Sequence, residues 1–132
     1  LKFRATGRRF FEWSGACSYG FSLKKKDWER MIFRAAGVDI GKLPPLVCST
    51  DVVGTLTPEA ADELGLPAST PVYGGCDDTQ SAAVGSGSTG ESEAHIYLGT
   101  SAWAGITPFS PKPRVRLFLS PAKESAFNQL ND

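Results

Sequence analysis

Apolar positions along the chain fall into short runs, with Gly and Pro as the punctuation between them. Residues 1–26 carry no long period. Residues 1–4 read as the interior of an element, Thr6-Gly7-Arg8-Arg9 as a turn, and Phe10-Phe11-Glu12-Trp13 as a short apolar stretch entering the small-residue segment 14–18. Farther on, Asp27 is a suitable N-cap; Trp28, Met31 (or Ile32) and Ala35 recur at helical spacing; and Gly37 can end the element. That pattern predicts a helix over 27–37 with Trp28 on its buried face. Lys42-Leu43-Pro44-Pro45 cannot continue a helix, because proline lacks an N–H donor and restricts the residue before it, so an extended connector is expected.

Val52-Val53-Gly54-Thr55-Leu56 is β-rich and short. Thr57-Pro58-Glu59 then opens a second helix, with Thr57 as N-cap, Pro58 at the first helical position and Glu59 in the first turn; Gly65 closes it. Pro71 precedes Val72-Tyr73, which reads as a short buried strand running into Gly74-Gly75, with a third helix starting directly at the strand end, over 77–83. The Gly/Ser-rich stretch 86–90 reads as a flexible junction between two structural halves. His95-Ile96-Tyr97-Leu98 and Ala102-Trp103-Ala104-Gly105-Ile106 flank Gly99-Thr100-Ser101, the pattern of a β-hairpin with a tight polar turn. Beyond it, prolines at 108, 111 and 113 suggest an irregular, exposed segment, and no internal repeat is visible.

Composition narrows the classes. At 132 residues the chain can bury a real core, and 41% hydrophobic with 21% charged residues argues against disorder. Fourteen basic and fourteen acidic residues cancel, which disfavours a nucleic-acid partner; the Lys24-Lys25-Lys26 run reads as a solvated face. Cys17, Cys48 and Cys76 lack metal-pair spacing, and their odd number fits a reducing cytoplasmic setting better than a disulfide framework. No apolar run approaches the ~20 residues of a membrane span. Leu1 opens the chain in place of Met, and the sequence reads as cut at its start.

Two segments can carry chemistry. In Gly74-Gly75-Cys76-Asp77-Asp78-Thr79-Gln80, glycines at a strand end admit a substrate close to the backbone, and a carboxylate just beyond sits where α/β proteins bind ligands. Near a substrate hydroxyl, Asp78 can accept the proton as the oxygen attacks phosphorus. The competing reading is that Asp77 or Asp78 caps the helix, since Asp is among the best N-caps. In Leu98-Gly99-Thr100-Ser101-Ala102, consecutive backbone N–H groups and two hydroxyls can cradle phosphate oxygens, although such turns also occur in hairpins with no ligand.

The order and spacing of these segments carry a resemblance. Asp78-x-x-x-Ala82-Ala83-Val84-Gly85, a Gly/Ser stretch with acids, then a strand ending Leu98-Gly99-Thr100-Ser101 is similar to the FGGY family of carbohydrate kinases, most of all its xylulose kinase-like members. Leu1-Lys2-Phe3-Arg4-Ala5-Thr6-Gly7, Glu12-Trp13-Ser14-Gly15-Ala16, Lys42-Leu43-Pro44-Pro45 and Val53-Gly54-Thr55-Leu56-Thr57-Pro58-Glu59-Ala60-Ala61 agree with it in turn, so the resemblance spans roughly residues 1–113.

What the resemblance implies is an α/β protein with part of an actin-like (ribonuclease H-like) kinase fold, its strands flanked by helices, plus a β-hairpin. Residues 1–86 would be the C-terminal part of the first kinase domain, and 87–132 the N-terminal part of the second. The implied activity is ATP-dependent phosphorylation of a sugar or polyol hydroxyl, on xylulose or a related ketose or polyol. Asp78 would be the general base and, with Thr79, a sugar contact; Gly99, Thr100 and Ser101 would hold the terminal phosphates of ATP, with Mg²⁺ offsetting their charge. Asp78 takes the role over Asp77 because the family sets its aspartate directly before the polar residue and seven positions before the glycine here numbered 85. The alternative is a non-catalytic actin-fold sugar- or nucleotide-binding homologue, for which Cys76 and Thr79 leave room as departures from the commonest family residues.

The family's Asp-Gly-Thr phosphate motif and its adenosine pocket are not found in the 132 residues, so this stretch alone is expected to be inactive. The partners implied are a small sugar or polyol and ATP, with neither nucleic acid nor membrane; a homodimer is admitted, and no metal ligands are assigned. The single histidine, His95, reads as surface or satisfied, Trp103 and Trp13 as packing residues, and Cys76 as a small residue rather than a nucleophile.

Overall fold

A computed structural model of the chain describes residues 1–100 and 102–107 together with the backbone of 116–119 and 127–131. Helix α1 (Lys2–Thr6) ends at Gly7 and leads to β1 (Phe11–Glu12) and the one-turn helix α2 (Trp13–Ala16). Strands β2 (Phe21–Ser22) and β3 (Asp27–Trp28) pair antiparallel, with Phe21 opposite Trp28, and α3 (Arg30–Ala35) follows. Strand β4 (Leu46–Val47) returns parallel to β1. Strand β5 (Val52–Thr55) pairs antiparallel with β6 (Pro71–Tyr73), and α4 (Pro58–Leu64) connects them. Helix α5 (Asp78–Gly85) starts just past β6. The hairpin β7 (Ala94–Leu98) and β8 (Ala102–Ile106) joins β9 (Arg116–Leu119) and β10 (Phe127–Asn131) in one antiparallel sheet of order β7-β8-β10-β9.

The described apolar core gathers on Ala16, Phe21 and Trp28, with Phe11, Trp13, Phe33, Leu43 and Leu46 packed against them. The Trp28 ring stacks on Phe11 at 5.9 Å and meets Phe33 edge-on at 5.6 Å, both favoured aromatic geometries. Its indole N–H donates to the Pro44 carbonyl at 3.0 Å, and the Phe11 N–H donates to Pro45 O at 3.0 Å. The proline connector therefore does more than span a gap: with no N–H of their own, its prolines present carbonyls to the core's donors.

Helix α4 forms as its sequence predicts. Thr57 Oγ1 accepts the Ala60 N–H at 3.2 Å, Pro58 occupies the first turn, and Gly65 takes the left-handed conformation (φ 66°). Three expectations need correction. Asp27 and Trp28 are not helical: pairing with Phe21 and Ser22 draws them into β3, the helix begins only at Arg30, and Met31 (78% exposed) and Ile32 (53%) face outward. The predicted stop at Gly37 holds, with φ 68° and the Val38 N–H returned to Phe33 O at 2.9 Å. Second, the strand is present as β6 but is not a buried one, since Tyr73 is exposed and Val72 only half-buried. Third, 86–90 is a closed cap rather than a slack linker. Gly87 (φ 81°) lets the Ser88 N–H reach Ala83 O at 3.0 Å, and the Glu93 carboxylate accepts the N–H groups of Thr89 and Gly90 at 2.8 and 2.5 Å.

Candidate active site

The site begins where β6 ends. The N–H groups of Gly74 and Gly75 donate to Asp51 O (2.9 Å) and Ser49 O (2.8 Å), drawing this segment against the one that precedes β5. A Cβ on Gly74 would be driven into the Cys48 carbonyl oxygen, and Gly75 sits at φ 74°, so both positions require glycine. The chain then turns into α5. Asp77 is the N-cap: its Oδ1 accepts the Gln80 N–H at 3.1 Å, and the Gln80 side chain is fully buried. Asp78 follows in the first turn, exposed, its Oδ1 accepting the Thr79 N–H at 2.9 Å; Thr79 is half-buried beside it. Of the two acids, Asp77 caps the helix and Asp78 does not. Cys76, half-buried, lies 3.0 Å from the Ser81 hydroxyl.

Burial pushes the Asp77 carboxyl above the usual carboxylate range. The Gln80 N–H pulls it back, the charges of Glu12 and then Asp78 push it up further, and the Thr79 N–H opposes them. Glu12 had no assigned role in the sequence. It is buried at 3% exposure and N-caps α2, accepting the Gly15 N–H on both oxygens (3.1 and 3.0 Å) and the Ser14 hydroxyl at 2.5 Å. Ser14 Oγ in turn accepts the Asp77 N–H at 3.3 Å. The available signal was a carboxylate three residues before a glycine in a small-residue segment, a helix start that the short apolar run concealed.

The predicted hairpin is present. Leu98 pairs with Ala102, and Gly99 and Thr100 bend away from the end of β7. Gly99 and Thr100 are exposed, and the Tyr97 ring lies so close to Gly99 that a Cβ there would come 2.6 Å from its Cε1. Ser101 lies outside the described residues. No hydrogen bond among the described residues joins Asp78 to Gly99 or Thr100; the cap and turn of 86–93 separate them. Tyr97 stacks on Trp103 at 5.0 Å, and His95 meets the same indole edge-on at 5.2 Å. His95 departs from its expected surface or satisfied role: it is buried, neither ring nitrogen has a partner among the described residues, and burial lowers its pKa. Among the described residues no three His, Cys, Asp or Glu side chains converge to hold a metal ion.

A glycine-ended strand leads to an exposed carboxylate on the first turn of a helix, and comparison with known proteins identifies the family. Residues 1–85 match the N-terminal domain of the FGGY family of carbohydrate kinases, and the chain belongs to that family. It is similar to the xylulose kinase of Bacillus subtilis (strain 168), 34% identical over 102 residues that make up 76% of this chain and 20% of that protein. It is also similar to the xylulose kinase of Escherichia coli (strain K12), 31% identical over 102 residues, 76% of this chain and 21% of the relative. The solved xylulose kinase from Rhodospirillum rubrum superposes with a TM-score of 0.88 at 25% identity, covering 98% of this chain and 27% of that one. The chain thus spans about a fifth of the length of the curated relatives it matches. Its fold is part of the α/β, actin-like kinase fold.

Proposed function

We propose that this chain serves an ATP-dependent kinase that phosphorylates a hydroxyl of xylulose or a related ketose or polyol. The observation that carries the reading is the division of labour between adjacent acids: Asp77 is occupied as the helix cap, while Asp78 stands exposed at the glycine-lined strand end. In this reading Asp78 takes the proton from the sugar hydroxyl as its oxygen forms a bond to the γ-phosphorus; the bond to ADP breaks, and the products are a sugar phosphate and ADP. Thr79 borders the sugar. Gly99, Thr100 and Ser101, the first two exposed, would hold the terminal phosphates through N–H groups and hydroxyls. Mg²⁺ bound with the nucleotide would offset the charge of those phosphates.

Residues 1–86 and 87–132 belong to two domains whose cleft brings sugar and nucleotide together. The family match ending at residue 85 and the helix cap at Gly87 support that division. The names of the relatives support a pentulose as acceptor, and the cytoplasm is the setting proposed. No helix among the described residues is long and apolar enough to cross a membrane. A stretch that spans a fifth of its relatives is proposed to need the remainder for turnover.

The test is ATP turnover by the full-length protein against a panel of ketoses and polyols. One ketose stimulating ADP release, with the matching sugar phosphate recovered, is the outcome expected. Ligand binding with no sugar phosphorylated would replace this reading by that of a non-catalytic sugar- or nucleotide-binding homologue.

A further inference from the structure

The geometry points to Ser14, held by Glu12, as a positioning residue for Asp78: its hydroxyl ties the start of α5 to the start of α2 and so fixes the turn that carries the candidate base. This inference rests on the kinase reading of Asp78. A buried carboxylate is costly and is tolerated only where hydrogen bonds replace water. Glu12, at 3% exposure, is supplied by donors from its own turn, the Gly15 N–H and the Ser14 hydroxyl. Room for that carboxylate depends on Gly15, where a Cβ would lie 2.5 Å from Oε1 and 3.3 Å from the Phe11 ring.

A serine hydroxyl has one proton and two lone pairs. Once the Ser14 proton is given to Glu12, the oxygen can only accept, and what it accepts is the Asp77 N–H, 63 residues along the chain. That N–H belongs to the N-cap residue, ahead of the helical ladder, and no backbone carbonyl takes it among the described residues. Glu12 thereby fixes the sense of the Ser14 bond, and Ser14 holds the backbone one residue before Asp78. The Asp78 side chain itself bonds only its neighbour's N–H among the described residues, so the direction of its carboxylate follows from the backbone at 77. A purely local cap of α2 would have no consequence at α5; the bond to Asp77 gives it one.

The experiment compares full-length wild type with Ser14→Ala and Ser14→Thr, reading steady-state kinetics and amide hydrogen exchange together. Ser14→Ala is expected to lower kcat by about 10- to 100-fold, the scale of a misplacement near 1 Å, with KM for ATP unchanged. Exchange over residues 76–80 should accelerate about tenfold, as for the loss of one hydrogen bond, while segments far from the brace keep their wild-type protection. Ser14→Thr, which keeps the hydroxyl, should recover both. Gly15→Ala, which displaces the Glu12 carboxylate and leaves the Ser14 oxygen in place, should reproduce the exchange effect in part.

Wild-type kcat and unchanged exchange in Ser14→Ala would overturn the inference, and so would a loosening spread evenly over the protein. If wild type phosphorylates no sugar, the kinase reading falls and takes the catalytic consequence with it. Exchange at 76–80 then still decides the brace: acceleration confirms it, and its absence overturns it.

Discussion

Two parts of this molecule are held by opposite means. Around Trp28 the residues that matter are rings: Phe11, Phe33 and Phe21 meet its flat faces, its edge or its opposite strand position, and its indole N–H donates to Pro44 O. Around Asp77 the described bonds are polar. Glu12, Ser14 and Gln80 are all buried there, and they act through directional bonds of 2.5–3.3 Å. Burial of apolar area stabilises without specifying direction, whereas a chain of hydrogen bonds fixes one orientation. The chain is held by apolar area around Trp28 and by directed bonds around Asp77.

That contrast can be broken or sharpened by substitution. The largest stability effect should come from Trp28→Ala, which empties the aromatic cluster and costs about 3–5 kcal/mol in urea unfolding; a loss below about 1 kcal/mol would remove Trp28 from the centre of the core. Gly74→Ala should come next, at about 1–3 kcal/mol, because its Cβ meets the backbone carbonyl of Cys48 rather than a yielding side chain. Thr57→Ala removes a single cap and should cost about 1 kcal/mol by the same measurement.

The smallest effect is the most instructive. Asp77→Asn keeps the cap, since Asn serves as well as Asp there, and removes the charge. The Asp77 carboxyl is raised in the folded state, mainly by burial. Its contribution to stability is therefore full below its unfolded value, near pH 4, and is lost as pH rises through the raised folded value. Melting temperatures of wild type should accordingly fall relative to Asp77→Asn from about pH 4 upward. Parallel curves would contradict the assigned shift.

Much of this was legible in the residues, and unevenly so for physical reasons. Helix α4 could be read whole because cap, proline and closing glycine act within the element they bound. The hairpin was equally local, although Ser101 of its turn lies outside the described residues. The reading of 27–37 failed at its start because the partner that makes Trp28 a strand residue, Phe21, stands across a turn, and helical spacing cannot register a cross-strand pair. The 86–90 stretch looked slack by composition, yet its small residues are what let the chain cap α5 and return to Glu93. At the site, the physical reading left Asp77 and Asp78 undecided, and only the resemblance favoured Asp78. The Glu12–Ser14–Asp77 brace was beyond reach because no local pattern links residues 63 apart.

The central claim is that adjacent aspartates have separate tasks, structural for Asp77 and chemical for Asp78. The most direct test is the paired measurement of Asp77→Asn and Asp78→Asn in the full-length protein, by turnover on its best sugar and by thermal unfolding. Asp78→Asn should lose about 10²–10⁴-fold in kcat with its melting temperature unchanged, while Asp77→Asn stays near the wild-type rate. The reverse pattern, with Asp77→Asn inactive and Asp78→Asn turning over normally, would contradict the account.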